Sequence, residues 1–174
     1  AAEKKGLTMH KGKLEDLNLE SDFFDLIIGI EVIEHISDPH FFVREIQRTL
    51  RKGGAVYITT PNFNSYLRRK LKGQYDVIEY PNHLSYFTVK TLKSLFTKNG
   101  FTKKSIVTSG ISRTRLKTST GKSNQAFVSE TSDDEILRHR IEKKWYLRVI
   151  KKLANGFLNA FRLGESIKAT FIKK

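Results

Sequence analysis

Cysteine is absent from the 174-residue chain. Disulfides and thiolate metal sites are therefore excluded, and the redox compartment is left open. No apolar run approaches the roughly 20 residues that a membrane-crossing helix requires. The opening stretch AAEKKGLTMHKG has no apolar signal core. It starts without Met and reads as the end of a helix stopped at Gly6, so the chain is expected to be cut from something longer. Proline is scarce, with three in all, and tryptophan occurs once. Acidic residues thin out along the chain: residues 1–60 hold 8 basic and 10 acidic groups, whereas residues 61–174 hold 24 and 8. The resulting net charge of +14 fits either an anionic partner or a solubilising surface.

What remains is enough for one domain. FFDLIIGI is a continuous apolar run rich in β-branched residues, as in a parallel strand buried on both faces. Ser37 or Asp38 can cap a following helix, with Pro39 in its first turn and Phe42, Val43, Ile46 and Leu50 on one face. RKGG ends it, and AVYITT is the next strand, broken by Pro61-Asn62. Residues 61–87 are aromatic and basic without a long element, as in a substrate lid. TVKTLKSLFTKNG is a helix with Val89, Leu92, Leu95 and Phe96 inward, and FTKKSIVTS is a strand. Ten of the 24 residues from Ser109 to Ser132 are Ser or Thr, which reads as a flexible connection. Residues 133–161 form a basic amphipathic helix striped by Ile141, Trp145, Val149, Leu153, Phe157 and Phe161, and ESIKATFIKK alternates as a last strand. The stripe's core-like spacing favours packing on the sheet over lying on an anionic membrane. TGKS at 120–123 is not a phosphate loop, because that pattern needs glycine where Leu116 stands.

Alternating strands and helices predict an α/β fold with a mostly parallel sheet. Ligands of such sheets bind beyond the carboxyl ends of the strands, and two strands end in chemically rich sequence, GIEVIEH and TTPN. Glu31, Glu34 and His35 are spaced i, i+3, i+4 and would share a face if the chain turns helical there. Three readings stand: the three bind a divalent cation; His35 is a general base; or Glu31 holds a ligand hydroxyl while Glu34 and His35 cap the turn. EYPNHLSYFT places His83 among Tyr80, Tyr86 and Phe87, either as a substrate lid or as a loop folded on its own aromatics.

The series FDLI, EVIEHI, DP, LRKGG, ITTPN, followed by NHLSYFTVKTLKSLFTKNGF, resembles the class I S-adenosylmethionine-dependent methyltransferases. It is most similar to the branch of ubiquinone-biosynthesis O-methyltransferases and bacterial sugar or lipid methyltransferases. The resemblance implies a Rossmann-like, doubly wound sheet of seven strands, parallel except for the last. Residues 7–11, 24–30, 55–60, 102–108 and 166–173 would be its third to seventh strands, so residues 1–108 and 165–174 form a partial core. It implies Leu14 and Glu15 beside the adenine, Glu31 and Val32 beside the methionine part of the cofactor, and a divalent cation such as Mg²⁺ on Glu31, Glu34 and His35. Lys13 stands where many members have Asp. No G-x-G occurs in the chain, so the family's glycine loop is missing and the isolated chain is expected to bind cofactor weakly.

The resulting expectation is methyl transfer from S-adenosylmethionine, most readily to oxygen of a small-molecule, sugar or lipid-like acceptor. Glu34, His35 and His83 would be catalytic, with Asn62, Tyr80 and Tyr86 shaping the acceptor pocket. The rivals are a nicotinamide oxidoreductase, an inactive partner-binding fragment, and a basic nucleic-acid module or RNA methyltransferase. The nucleic-acid reading is disfavoured because the aromatics form no obvious stacking platform. The expected setting is cytoplasmic, with peripheral membrane contact and self-association through open sheet edges.

Overall fold

The apolar run becomes β1 (Phe24–Ile30), and Asp38 caps the helix that follows, its Oδ1 accepting from the Phe41 N–H at 3.0 Å. The computed structural model describes residues 5–121 and 133–174. After α1 (Pro39–Thr49) come β2 (Leu50–Pro61), α2 (Tyr66–Leu71), α3 (Val89–Lys98) and β3 (Phe101–Ser109). Then follow α4 (Arg113–Ser119), α5 (Asp133–Lys143), α6 (Trp145–Ala160) and β4 (Ser166–Lys173). The sheet runs β1-β2-β4-β3. β1 and β2 are parallel, and β4 enters antiparallel to both β2 and β3. This is the expected Rossmann-like α/β arrangement, parallel apart from its last strand.

The core lies on one face of the sheet. Phe42, Val43 and Ile46 of α1 and Leu92, Leu95 and Phe96 of α3 pack on Val56, Ile58, Phe101, Ile167, Ala169 and Phe171. Phe96 stacks flat on Phe171 with ring centroids 4.3 Å apart. Burying each such side chain contributes roughly 1.5–3 kcal/mol. Because β4 sits between β2 and β3, the chain's last residues belong to this core.

The structure corrects several expectations. Residues 7–11 form no strand. In a doubly wound order two strands, the first and second, lie between the third and the fourth, and no described strand pairs with the outer edge of β1. β1 is covered on one face only: Leu26, Ile28 and Ile30 point to the other and are exposed. RKGG does not end α1 but lies within β2, where the register slips from Phe24↔Leu50 to Leu26↔Ala55 and Gly53 takes a positive φ of 77°. The expected connection over 109–132 contains α4, capped by the Ser112 hydroxyl accepting from the Arg115 N–H; residues 122–132 lie outside the described residues. The basic helix is two helices, broken where Lys144 turns extended. Its stripe does not pack on the sheet: Trp145, Val149, Leu153, Phe157 and Phe161 are exposed, and in α6 only Leu158 is buried.

Candidate functional site

β1 and β2 run parallel with Ile30 opposite Thr59, so GIEVIEH and TTPN leave the sheet at the same rim. Glu31 turns the chain there. It takes a left-handed φ of 51°, and its N–H donates to the Thr59 carbonyl at 3.1 Å and to Oγ1 at 3.2 Å. A single 3-10 turn, Ile33–His35, follows. The spacing argument assumed a helix from Glu31 onward. The left-handed residue and the short turn instead leave Glu31 exposed while Glu34 points inward.

Glu34 is 2% exposed. Its Oε2 accepts from the Thr60 hydroxyl at 3.0 Å, whereas its buried Oε1 has no hydrogen-bond partner. Burial pushes this carboxyl above its ordinary value of 4.5, and the charge of Glu31 adds to the rise; hydrogen bonds from backbone and Thr60 and the nearness of His35 oppose it. The Glu34 carbonyl accepts from the N–H groups of Leu84 (2.8 Å) and Ser85 (3.0 Å), which pins the 79–88 loop over the turn.

That loop brings His83 to His35, their ring centroids 4.8 Å apart. Nδ1–H of His35 donates to the Asn82 carbonyl at 2.6 Å, and Nδ1–H of His83 to the Val77 carbonyl at 2.7 Å. A carbonyl only accepts, so each ring carries a proton on Nδ1, and in its neutral form it presents the lone pair on Nε2. His35 Nε2 stands 4.0 Å from Glu34 Oε1. One ligating atom each from Glu34, His35 and His83 lies within 4.8 Å of the others. A carbonyl holding the far nitrogen of each imidazole is the usual support of metal-ligating histidines, and a buried, unpartnered carboxylate oxygen calls for an explanation. The three residues therefore fit a divalent cation. Glu31 is outside the group, and His83, read from sequence as a lid residue, is inside it.

The other anticipated residues separate. Tyr86 is half-buried against Phe63 (centroids 5.2 Å) and lines a small pocket with Glu34, Pro61, Phe63, Val77, His83 and Ser85. Tyr80 is 83% exposed and does not line it. Asn62 is fully buried and is not open to an acceptor. Its Nδ2 donates to the carbonyls of Arg162 (3.0 Å) and Gly164 (2.7 Å), and its Oδ1 accepts from the Asn64 N–H at 3.1 Å. Leu14 packs against the core; the Glu15 side chain lies outside the described residues. Glu31 and Val32 are exposed where the chain leaves β1.

No spacing or motif pointed to a second buried carboxylate, Glu165. Arg115 lies between it (3.4 Å) and Asp76 (3.2 Å). Burial pushes the Glu165 carboxyl from 4.5 up to about 7, with Arg115 opposing. The folded chain then holds this proton more tightly than the unfolded chain. The associated stability is complete below about pH 4.5 and is lost as pH rises through about 7; it amounts to about 3 kcal/mol at most. Thermal melts of Glu165→Gln should show a higher melting temperature than the wild type at pH 8, with the gap closing toward pH 4.5. A gap independent of pH would contradict this account of Glu165.

The strand order and the rim where β1 and β2 end define a Rossmann-like α/β domain. The chain belongs to the methyltransferase-domain family, whose profile matches residues 3–106. It is 31% identical over 105 residues to the mitochondrial ubiquinone biosynthesis O-methyltransferase of Dictyostelium discoideum, covering 56% of this chain and 33% of that protein. It is 42% identical over 48 residues to the ubiquinone biosynthesis O-methyltransferase of Parvibaculum lavamentivorans, covering 28% of this chain and 19% of that protein. The chain thus spans a third or less of the length of these curated relatives. Among solved structures, a SAM-dependent methyltransferase of Thermotoga maritima superposes with TM-score 0.61 at 19% identity, over 99% of this chain and 67% of that one. One from Archaeoglobus fulgidus gives 0.54 at 17% identity, over 95% and 66%. At these identities the likeness shows the fold.

Proposed function

We propose that this protein acts in S-adenosylmethionine-dependent methyl transfer to an oxygen of a small-molecule, sugar or lipid-like acceptor, at a site where Glu34, His35 and His83 hold a divalent cation. The observation that carries the proposal is the meeting of the unpartnered Glu34 Oε1 with two imidazoles whose Nδ1–H groups are already spent on carbonyls. The O-methyltransferase names of the sequence relatives support oxygen as the acceptor atom. One carboxylate and two imidazoles suit Mn²⁺ or Zn²⁺ better than Mg²⁺, which prefers oxygen donors.

The donor supplies an activated sulfonium methyl, and a bound cation supplies Lewis-acid polarisation of the acceptor hydroxyl. The chain's own residues have to align the acceptor and remove water from around it. Tyr86 and Phe63 provide an aromatic wall beside Glu34 and His83, which suits a flat or apolar acceptor. Glu31 and Val32 face the donor's methionine end. Thr60 holds one Glu34 oxygen and leaves the other for the cation.

The test is transfer of label from methyl-labelled S-adenosylmethionine, supplied at a concentration that loads a weak donor site, to a panel of phenols, sugars and prenylated phenols, with and without EDTA. An O-methyl product that EDTA abolishes and Mn²⁺ or Zn²⁺ restores is expected. Transfer that ignores EDTA would remove the cation from the proposal, and absence of labelled product across the panel would remove the transfer.

A further inference from the structure

α6 is amphipathic in the wrong sense for a helix that only packs on its own sheet. The side turned to the protein is the polar one. The Asn155 Oδ1 accepts from the Gly110 N–H at 3.0 Å, and the Asn159 Oδ1 from the Thr108 N–H at 2.9 Å. The Thr108 hydroxyl donates to the Leu158 carbonyl at 3.1 Å. Two asparagines four residues apart thus take up the end of β3, an edge strand that would otherwise offer free N–H groups. The opposite side carries Trp145, Tyr146, Val149, Ile150, Leu153 and Phe157, and Phe161 continues it past the helix end. At 3.6 residues per turn, these and the intervening Ala154, Gly156 and Ala160 make an unbroken apolar arc over about half the helix circumference. Trp145 and Leu153 are each 69% exposed.

The charges identify what covers this face. From Lys143 to Arg162 there are six basic residues and no acidic one. At the same spacing Lys152 borders the arc, while Arg148 and Lys151 stand further round, exposed beside the Asn155 and Asn159 side. Two copies meeting through α6 would bring these like charges together with nothing on the helix to answer them, whereas an anionic surface answers all of them. The free edge of β1 lies at the far end of the sheet from β3, so strands added there would not reach α6. The helix has 16 residues, about 24 Å at 1.5 Å per residue. That is short of a bilayer's hydrocarbon core of about 30 Å, and among the described residues no helix is long and apolar enough to cross a membrane.

We infer that α6 is an interfacial docking helix, lying in the plane of an anionic membrane with its Trp145–Phe161 face among the acyl chains and its lysines and arginines at the headgroups. The inference is independent of the transfer reaction.

Trp145 is the chain's single tryptophan and is a native probe. Its emission should shift to the blue on adding phosphatidylglycerol–phosphatidylcholine vesicles at low salt, and brominated lipids should quench it. Pure phosphatidylcholine should bind far less. Lys151→Glu/Lys152→Glu should weaken partitioning by at least roughly tenfold, at about 1 kcal/mol per basic residue near the surface. Leu153→Asp/Phe157→Asp should abolish the shift at unchanged melting temperature, since both side chains are exposed. Emission unaltered by anionic vesicles would overturn the inference. So would equal binding to neutral ones, or a blue shift produced by protein concentration alone (a second copy) or by RNA but not vesicles.

Discussion

Asn62→Ala is expected to lower the melting temperature by about 10 °C, from a loss of roughly 3–4 kcal/mol. The residue sits where β2 ends, fully buried, and ties its own turn to residues 162–165: its side-chain amide bonds the Arg162 and Gly164 carbonyls and the Asn64 N–H, and its backbone N–H bonds the Glu165 carbonyl at 2.6 Å. Alanine keeps the backbone bond but removes three side-chain bonds, one of them the buried bond to the Gly164 carbonyl. Each buried group left unpaired costs about 1–3 kcal/mol. Gly164 has no room to shift in compensation, because a Cβ there would lie 2.3 Å from the Ser109 nitrogen. Asn62→Asp should be no better, since a carboxylate oxygen would then face two carbonyls. Circular-dichroism melts check this. A melting temperature within a degree or two of the wild type, with weakened acceptor binding instead, would restore Asn62 to the acceptor pocket.

Divalent-cation affinity is expected to fall by at least about 10–100-fold in Glu34→Gln, His35→Ala and His83→Ala, the range seen when merely supporting groups around a metal are removed. In Glu31→Gln it should stay within a few-fold of the wild type. Calorimetric titration with Mn²⁺ reads this directly, and turnover should fall in parallel. The pattern separates the two chemical readings of His35. A general base would lose roughly 10²–10⁴ in turnover on removal while the cation, if any, bound as before. His83→Ala is the discriminating variant, because His83 lies 48 residues along the chain from His35 and no local capping role joins them. If Glu31→Gln abolished binding and His83→Ala did not, the donor set would be the one the motif spacing first suggested.

Much of the fold was legible because local patterns and tertiary demands agreed. The helical spacing of Phe42, Val43 and Ile46, and of Val89, Leu92, Leu95 and Phe96, is the spacing of the buried faces. Asp38, one of the two caps read from sequence, needs only its neighbours. The shared rim of GIEVIEH and TTPN followed from parallel strands alone. The misses lie where side-chain direction depends on partners distant in sequence. Periodicity marked the α6 stripe as apolar, but whether such a stripe faces inward is set by what β3 asks of its neighbour, and β3 asks for the Asn155 and Asn159 oxygens. Asn62 read as a pocket residue because TTPN ends a strand at the rim where ligands bind, but its partners lie about a hundred residues away. Glu31 was grouped by spacing with Glu34 and His35, but a positive φ at a non-glycine residue turned it out. The pairing of His83 with His35 rests on the Glu34 carbonyl capturing Leu84 and Ser85, which no spacing rule encodes.

The account's centre is the cation held by Glu34, His35 and His83, and anomalous diffraction from crystals soaked in Mn²⁺ tests it most directly. It predicts one strong peak within ligand distance of a Glu34 oxygen and of an imidazole nitrogen on each of His35 and His83. A peak on Glu31 remote from His83, or none at the rim while Mn²⁺ binds elsewhere, would contradict it.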